Sequence, residues 1–440
     1  MQLEQSAEVR RLARAIAGRA APDLEAWETL LLQAARQGGA GVLGTLLADW
    51  QHNGCRPPVL CRCGRRMSSQ GRRAKELLTV LGHVPFARSL YQCEHCAHTR
   101  FPEDERLDIV RTSYSPGVRP LMARAGSQTQ FEQAAQDLLC SAGLELEARE
   151  IERVAEEVGR ELEQWLGQEQ SRLLESCAGA KQRPPLSIPK FYASFDGTGV
   201  PVRAKELAGR RGKQADGSAR TREAKLGCIF TQVGVDREGQ PQREPDSTTY
   251  VGAIESSELF GWRIYAEAMR RGLERAKAVI VLTDGARYNH TIARTHFPQA
   301  IHIVDLFHAF EHLHLMAQLL WGPESKPPKC WRELLEAGEI ASLVRQAGKK
   351  LPSATASREA MRKALHYFEE NASQMRYAEF RKKKLFVGSG VVEAGCRTVI
   401  GQRLKQSGMR WSVRGANAII ALRCCLMSGR FEDFWASRVP

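Results

Sequence analysis

Two aspartates stand where an apolar run gives out: Asp196 in FYASFDGTGVP and Asp284 in AVIVLTDGARYNH. Each run reads as a strand, and each Asp is followed by Gly. Open α/β sheets set their sites where strands end, so a carboxylate there is held by a rigid element and still reaches solvent. Such a pair suits hard divalent cations: Mg2+ takes oxygen ligands, keeps several waters, and is often held by one or two carboxylates plus substrate phosphates. Two ions about 3.5–4 Å apart can activate an attacking oxygen and stabilise a leaving one in phosphodiester chemistry. For either Asp-Gly taken alone, a turn is the commoner role.

A third carboxylate stands out by its surroundings. From Arg381 to Arg430 there are eleven Lys or Arg and one acid, Glu393, in GSGVVEAGCRT. VVEAGCRTVIGQRLK reads as a helix after a Gly-Ser-Gly loop. If that helix packs on the sheet, Glu393 approaches Asp196 and Asp284; otherwise it pairs on the surface with Arg397 at i+4.

LCRCGRRM and YQCEHCAHTRFP supply Cys61, Cys63, Cys93 and Cys96. Four thiolates can hold one tetrahedral Zn2+ and staple a segment too small for a core of its own. The second pair is C-x-x-C but the first is C-x-C, so Cys55 and His98 stand as substitute ligands, and free thiols as the remaining alternative. VDLFHAFEHLHLM contains His308-x-x-Glu311-His312, the H-x-x-E-H pattern of inverted zinc peptidases. There, two histidines on one helix face would hold zinc with Glu311 as base. A packed role is commoner for His312 and His314, and a peptidase leaves the basic C-terminal half unexplained.

The chain of 440 residues has an ordinary globular composition, 43% hydrophobic and 26% charged, but a formal charge of +14. That charge predicts attraction to a polyanion, with nucleic acid as the default partner. In RLKQSGMRWSVRG, Trp411 stands among Arg403, Lys405, Arg410 and Arg414, a candidate for base stacking or wedging, with core packing as its alternative. Residues 203–225 hold eight basic and three acidic side chains around several glycines, a loop expected to order on DNA. MQLEQSAEVRRLARAIAGRAAPDLEAWETLLL has no apolar signal region, and no apolar run nears the roughly 20 residues of a membrane span. A cytoplasmic protein is expected, without membrane attachment.

Six segments follow from the texture. Residues 1–54 are helical, with two helices packed around the Gly-Gly of DLEAWETLLLQAARQGGAGVLGTLLADW. Residues 55–108 form a zinc-ribbon-like module with one β-like run, HVPFARSLYQC. Residues 109–183 are helical and a candidate DNA-end-binding region: FEQAAQDLLCSAG, a turn at Gly143, then LELEAREIERVAEEVGRELEQWL. This is a candidate helix-turn-helix whose acid-rich second helix suits a partner helix better than DNA. After the Pro-bounded linker QRPPLSIPK, residues 184–321 alternate strands and helices, which predicts an α/β sheet with a parallel part. Residues 322–385 read as a helical insertion and 386–440 as basic helices that complete the domain.

The order strand-Asp, strand-Asp, insertion, helix-Glu resembles bacterial insertion-sequence transposases of the DDE type, specifically the ISKra group. The resemblance rests on FDGTGVP, VLTDGARYN, VDLFH and SGVVEAGCRTVIGQRLKQSGMRWSVRGANAIIALRCC, and covers most of the chain from about residue 55 onward. It implies a ribonuclease H-like fold, with Asp196, Asp284 and Glu393 as a catalytic triad that binds two Mg2+ or Mn2+ ions. Asp305 and His308 match an Asp-x-x-His that supports the site in related transposases. The implied activity is cleavage at transposon ends, with water and then a 3′-hydroxyl as nucleophile, by a homo-oligomer on nucleoid DNA. Arg397 and the basic residues around Trp411 would contact that DNA. C-x-x-C is usual in both cysteine pairs of the group, so the C-x-C departs from it.

Overall fold

The structure, a computed structural model, describes Arg14 and residues 23–53, 58–179, 187–212 and 217–438, with residues 52–53 and 176–179 described in backbone only. The chain divides into two compact units, Met1–Ala155 with Ser437–Pro440, and Glu156–Ala436. Cys55, the linker as far as Leu186, and residues 213–216 lie outside the described residues.

In the first unit, helix α1 (Leu24–Asn53) runs unbroken through Gly38 and Gly39, where the sequence predicts two helices. The reason is packing: a side chain at Gly39 would sit 3.3 Å from Leu81, and one at Gly44 3.6 Å from Val84. The small residues let α1 lie close against a hairpin, which offsets their poor helix propensity of about 1 kcal/mol each. That hairpin joins β1 (Ser68–Thr79) to β2 (Gly82–Gln92), with β3 (Thr99–Arg100) on the other edge of β2. Only β2 is legible as a strand. β1 is exposed on both faces from Ser69 to Ala74 and buries only Leu77, Leu78 and Thr79 at its end, so it lacks the alternation that marks a strand.

Helices α2 (Pro102–Arg106), α3 (Val118–Gln128) and α4 (Phe131–Ala142) follow, and Gly143 ends α4 in the left-handed conformation. Helix α5 (Ala148–Gly179) comes next. A side chain at Gly126 of α3 would meet Ile151 at 2.8 Å, so the start of α5 serves as a packing partner.

The second unit is built on a mixed sheet. Its central strand β4 (Lys190–Pro201) pairs antiparallel over its whole length with β5 (Thr221–Val235), and β6 (Pro241–Arg243) and β7 (Thr249–Ala253) share the other edge of β5. After helix α6 (Ser257–Arg270), strand β8 (Val279–Thr283) returns parallel to β4; after α7 (Arg287–His296), β9 (Ile301–Val304) lies parallel to β8. Thr221–Lys225 therefore belong to a strand, which corrects the expectation of a loop ordered by DNA through residue 225.

Strand periodicity sorts the two faces. Phe191, Ala193, Phe195 and Val281 pack with Phe260 and Ile264 of α6 and Ile292 of α7. Tyr192, Ile280 and Leu282 face the other way, onto α8 (Leu306–Trp321) and four helices of the insertion: α9 (Lys329–Ala337), α10 (Ile340–Gly348), α11 (Thr355–Asn371) and α12 (Tyr377–Lys382). Each fully buried apolar side chain in these layers contributes about 1.5–3 kcal/mol.

The chain returns to the sheet through α13 (Gly390–Gly395), which continues as a π segment, Cys396–Gly401, and then α14 (Gln402–Leu404). Helix α15 (Val413–Met427) lies on β7, where Asn417 Oδ1 accepts the Ile254 N–H at 2.8 Å, and α16 (Phe431–Ala436) follows. No helix among the described residues is long and apolar enough to cross a membrane.

Candidate functional site

Parallel pairing of β4 with β8 sets Tyr192 opposite Ile280 and Ser194 opposite Leu282. Two residues on, at the same level and on the same face, come Asp196 and Asp284. Strand β8 stops at Thr283 while β4 continues against β5, so Asp196 is a strand residue and Asp284 opens the turn into α7. Gly285 takes that turn with φ 84°, and a side chain there would press within 3.0 Å of Tyr367 and Asn371. The turn role and the site position therefore coexist in one Asp-Gly. Asp284 Oδ1 accepts the Ala286 N–H at 2.9 Å and Asn289 Nδ2 at 2.7 Å, while its carbonyl accepts the Tyr367 hydroxyl at 3.0 Å. Asp196 Oδ1 accepts the Gly197 N–H at 2.6 Å, and the Cys396 thiol faces Oδ2 at 3.9 Å.

Glu393 comes from α13, and its placement rests on a glycine. A side chain at Gly395 would meet Tyr250 at 2.8 Å and Leu226 at 3.0 Å, and Leu226 is the register partner of Asp196. The helix thus lies against the sheet at the level of Asp196. Glu393 is exposed and accepts the Ser389 hydroxyl at 2.7 Å rather than pairing with Arg397. The Ser389 N–H donates to Asp305 Oδ2. Asp305, fully buried, caps α8 by accepting the N–H groups of Phe307 at 2.5 Å and His308 at 3.1 Å. One serine therefore ties the α8 cap to Glu393. Sequence reasoning missed Ser389, because a serine between glycines carries no signal of a partner 84 residues away.

Burial raises the Asp196 carboxyl above the usual carboxylate range; the Gly197 N–H works against this, Asp284 and Glu393 add to it, and His308 opposes it. Burial alone would lower the His308 imidazole, but Asp305, Glu311, Asp196 and Asp284 hold it above its ordinary value. Tyr288 and Cys396, also unanticipated, are raised by burial first and then, respectively, by Glu223 with both aspartates and by Asp196. Asp196, Asp284, Glu393 and His308 share one electrostatic neighbourhood. They do not share one tight ligand cluster: among the described residues, the group of three or more metal-competent side chains whose ligand atoms all lie within 4.8 Å of one another is Cys61, Cys63, Cys93 and Cys96. Like charges repel, and each carboxylate is held by a donor of its own.

In that cysteine group, Sγ–Sγ distances are 3.4 Å for Cys61–Cys96, 3.6 Å for Cys63–Cys93 and 3.9 Å for Cys63–Cys96. A tetrahedral site with bonds of about 2.3 Å needs sulfurs roughly 3.8 Å apart. All four cysteines can therefore hold a structural Zn2+. The C-x-C pair suffices because Gly64, with φ 81°, closes a turn onto the Cys61 carbonyl at 2.9 Å. His98 contributes its backbone, accepting the Cys93 N–H at 2.9 Å. The Cys96 and His95 N–H groups pull the Cys93 thiol down to about 6 against the effect of burial, while Cys96, against the pull of the His98 backbone, is pushed up to about 12 by its hydrogen bonds with Cys61 and Cys93.

The H-x-x-E-H pattern forms no three-ligand group among the described residues. His312 stacks on Tyr367 at 3.7 Å with its Nδ1 buried and unpartnered, and Glu311 bonds His308 at 3.1 Å.

Of the basic candidates, Arg397, Lys405, Arg410 and Arg414 are exposed, and Lys405 Nζ donates to Thr198 Oγ1 beyond Asp196 on β4. Arg403 and Trp411 correct the expectation. Arg403 is fully buried with its guanidinium 4.9 Å from the Trp411 ring, and Trp411, 6% exposed, donates Nε1 to the Leu404 carbonyl at 3.1 Å. Neither side chain is presented to DNA, because the indole's large apolar area is buried in the fold. No family model matches the chain, and no curated protein matches it.

Proposed function

We propose that the chain is a DNA transposase of the DDE type, related to the ISKra group, that cleaves insertion-sequence ends and joins them to target DNA. The observation that carries this reading is the register of β4 and β8, which sets Asp196 level with Asp284 where a glycine-seated helix brings Glu393. The strand order supports a ribonuclease H-like domain: β7, β5 and β4 form an antiparallel meander, and β8 and β9 extend it in parallel through helical crossovers. In this reading the domain spans residues 184–321 and 386–440, interrupted by the helices of 322–385.

Three oxygen-donor side chains, two of which add to the raised proton affinity of Asp196, fit Mg2+ or Mn2+. Asp196, Asp284 and Glu393 would hold two such ions, which when bound supply activation of the attacking oxygen and stabilisation of the leaving one. Asp196 must lose its proton first, so its raised pKa shifts the onset of activity to higher pH. Ser389 orients the Glu393 carboxylate through one oxygen and leaves the other available. His308, whose imidazole is held above its ordinary value, against the effect of burial, by Asp305, Glu311, Asp196 and Asp284, is offered to a phosphate oxygen. Exposed Arg397, Lys405, Arg410 and Arg414 attract the duplex backbone by counterion release. Bringing two ends together implies a homo-oligomer on DNA in the bacterial nucleoid.

The test is Mg2+-dependent nicking of a duplex carrying the inverted repeats that flank the coding region. Asp196→Asn, Asp284→Asn and Glu393→Gln should each abolish nicking without weakening DNA binding. Nicking that survives all three would remove the triad, and a wild-type chain that binds the ends without nicking them would make the protein a binding-only relative.

A further inference from the structure

We infer that the zinc-ribbon hairpin carries a phosphate-binding edge for double-stranded DNA, formed by Arg62, Arg65 and Arg66 beside the cysteine turn and by Arg72 and Arg73 on the edge strand β1. The inference rests on the reading of the chain as a DNA-acting protein, but not on its catalytic site. All five arginines are exposed, and no Asp or Glu occurs from Cys55 to Lys75. Other cations of the same module are matched: Lys75 and Arg88 pair with Asp104, and Arg100 pairs with Glu105. None of the five makes an ion pair among the described residues; Arg72 Nη2 is held by Gln51 Oε1 and by the Ala87 carbonyl at 2.9 Å, hydrogen bonds that fix the guanidinium but leave its charge without an anionic partner. Two neighbouring pairs of like charge, Arg65 with Arg66 and Arg72 with Arg73, thus lack an ion-pair partner, a repulsion that a polyanion relieves.

The backbone presents them outward. Arg72 and Arg73 sit opposite Ser89 and Arg88 in the hairpin, next to a bulge between Ser69 and Arg72 where Gly71 has φ 80°. A bulge adds twist, adjacent strand residues point to opposite faces, and here both faces are exposed from Ser69 to Ala74. A charged edge strand is also a common guard against strand addition. That role needs one or two charges of either sign, whereas here five of one sign continue from the strand into the turn at Cys61–Arg66. The turn's shape depends on the cysteine group, so the charged edge and the zinc are coupled.

The experiment is fluorescence anisotropy of the full chain with a duplex of arbitrary sequence, in Mg2+-free buffer over a range of KCl. Each phosphate contact contributes about 0.9 to the slope of log affinity against log salt. The double variants Arg65→Ala/Arg66→Ala and Arg72→Ala/Arg73→Ala should each lower that slope by about 1.8 with zinc content unchanged, and Arg72→Lys/Arg73→Lys should restore it. An unchanged slope in both alanine pairs, or a lysine pair that restores nothing, overturns the inference. Binding is read without catalysis, so a slope change in a chain that never nicks DNA would sink the transposase reading and keep this one.

Discussion

Cys63→Ser removes one corner of the sulfur tetrahedron, and its cost can be worked from the distances. Edges of 3.4, 3.6 and 3.9 Å bracket the ideal, and two of them end on Cys63 Sγ. The site closes on zinc with shifts of a few tenths of an ångström, so most of the roughly 10–16 kcal/mol that structural zinc supplies in small domains is available. Shared over four thiolates, this is about 3 kcal/mol per sulfur, or roughly 100-fold in affinity. The apolar cluster at this end of the ribbon is Cys61, Met67 and Cys93 with Val59 and Tyr91 beside it; two of its three buried members are the ligands themselves, so little else orders the segment. The purified chain should carry about one zinc by elemental mass spectrometry. Cys63→Ser should lose it to a chelator that wild type resists, with new protease cleavage confined to residues 58–100. Cys55→Ser should keep the metal. Full zinc in Cys63→Ser together with loss in Cys55→Ser would refute the ligand set, and a metal-free wild type with an equally resistant ribbon would refute the energetic argument.

Three further expectations concern the second unit. The raised Asp196 carboxyl means that the fold binds this proton more tightly than the unfolded chain does; the resulting stability is present at low pH and lost as pH rises from the ordinary carboxylate range through the raised value. Asp196→Asn should therefore raise the Mg2+-free Tm near neutral pH and leave it unchanged below about pH 4, and a lower neutral-pH Tm would contradict the sign. Asp305→Ala removes the α8 cap and orphans the buried Ser389 N–H, at a cost of about 2–4 kcal/mol in urea unfolding; a loss below about 1 kcal/mol would mean that another group satisfies both. Trp411→Ala should cost about 3–5 kcal/mol as a core truncation, whereas Trp411→Phe should bind duplex DNA as wild type does, and weakened binding by a well-folded Phe variant would return Trp411 to the surface.

The catalytic candidates were legible where local pattern and tertiary role coincide. Apolar runs ending in Asp-Gly located Asp196 and Asp284, although only β8 ends there: β4 runs on through Asp196 to Pro201, because β5 pairs with it along its whole length. Cysteine spacing located the four-cysteine group that can hold zinc, despite the C-x-C, since thiols are rare enough to be counted. Elements defined by a distant partner were not legible. Strand β1 is polar on both faces and exists by pairing with β2, and α1 crosses its glycines because Leu81 and Val84 lie against them. Ser389, Cys396 and Tyr288 joined the site only when the sheet and α13 met. Trp411 was read from its basic neighbours, and one of them, Arg403, is buried with it.

The π segment Cys396–Gly401 is slack in the length of the chain. Arg423 holds it from α15, donating Nε to the Val399 carbonyl at 2.6 Å and Nη2 to the Thr398 carbonyl at 2.5 Å. A π turn carries about one residue more than an α turn, so it takes up that residue without changing the direction of the side chains that follow. Deleting one residue within a regular α-helix would turn everything downstream by about 100°. Deleting one from the wide turn would let it close as ordinary helix with Arg403 still in its slot and Lys405 still beside Thr198, at the cost of the Arg423 contacts.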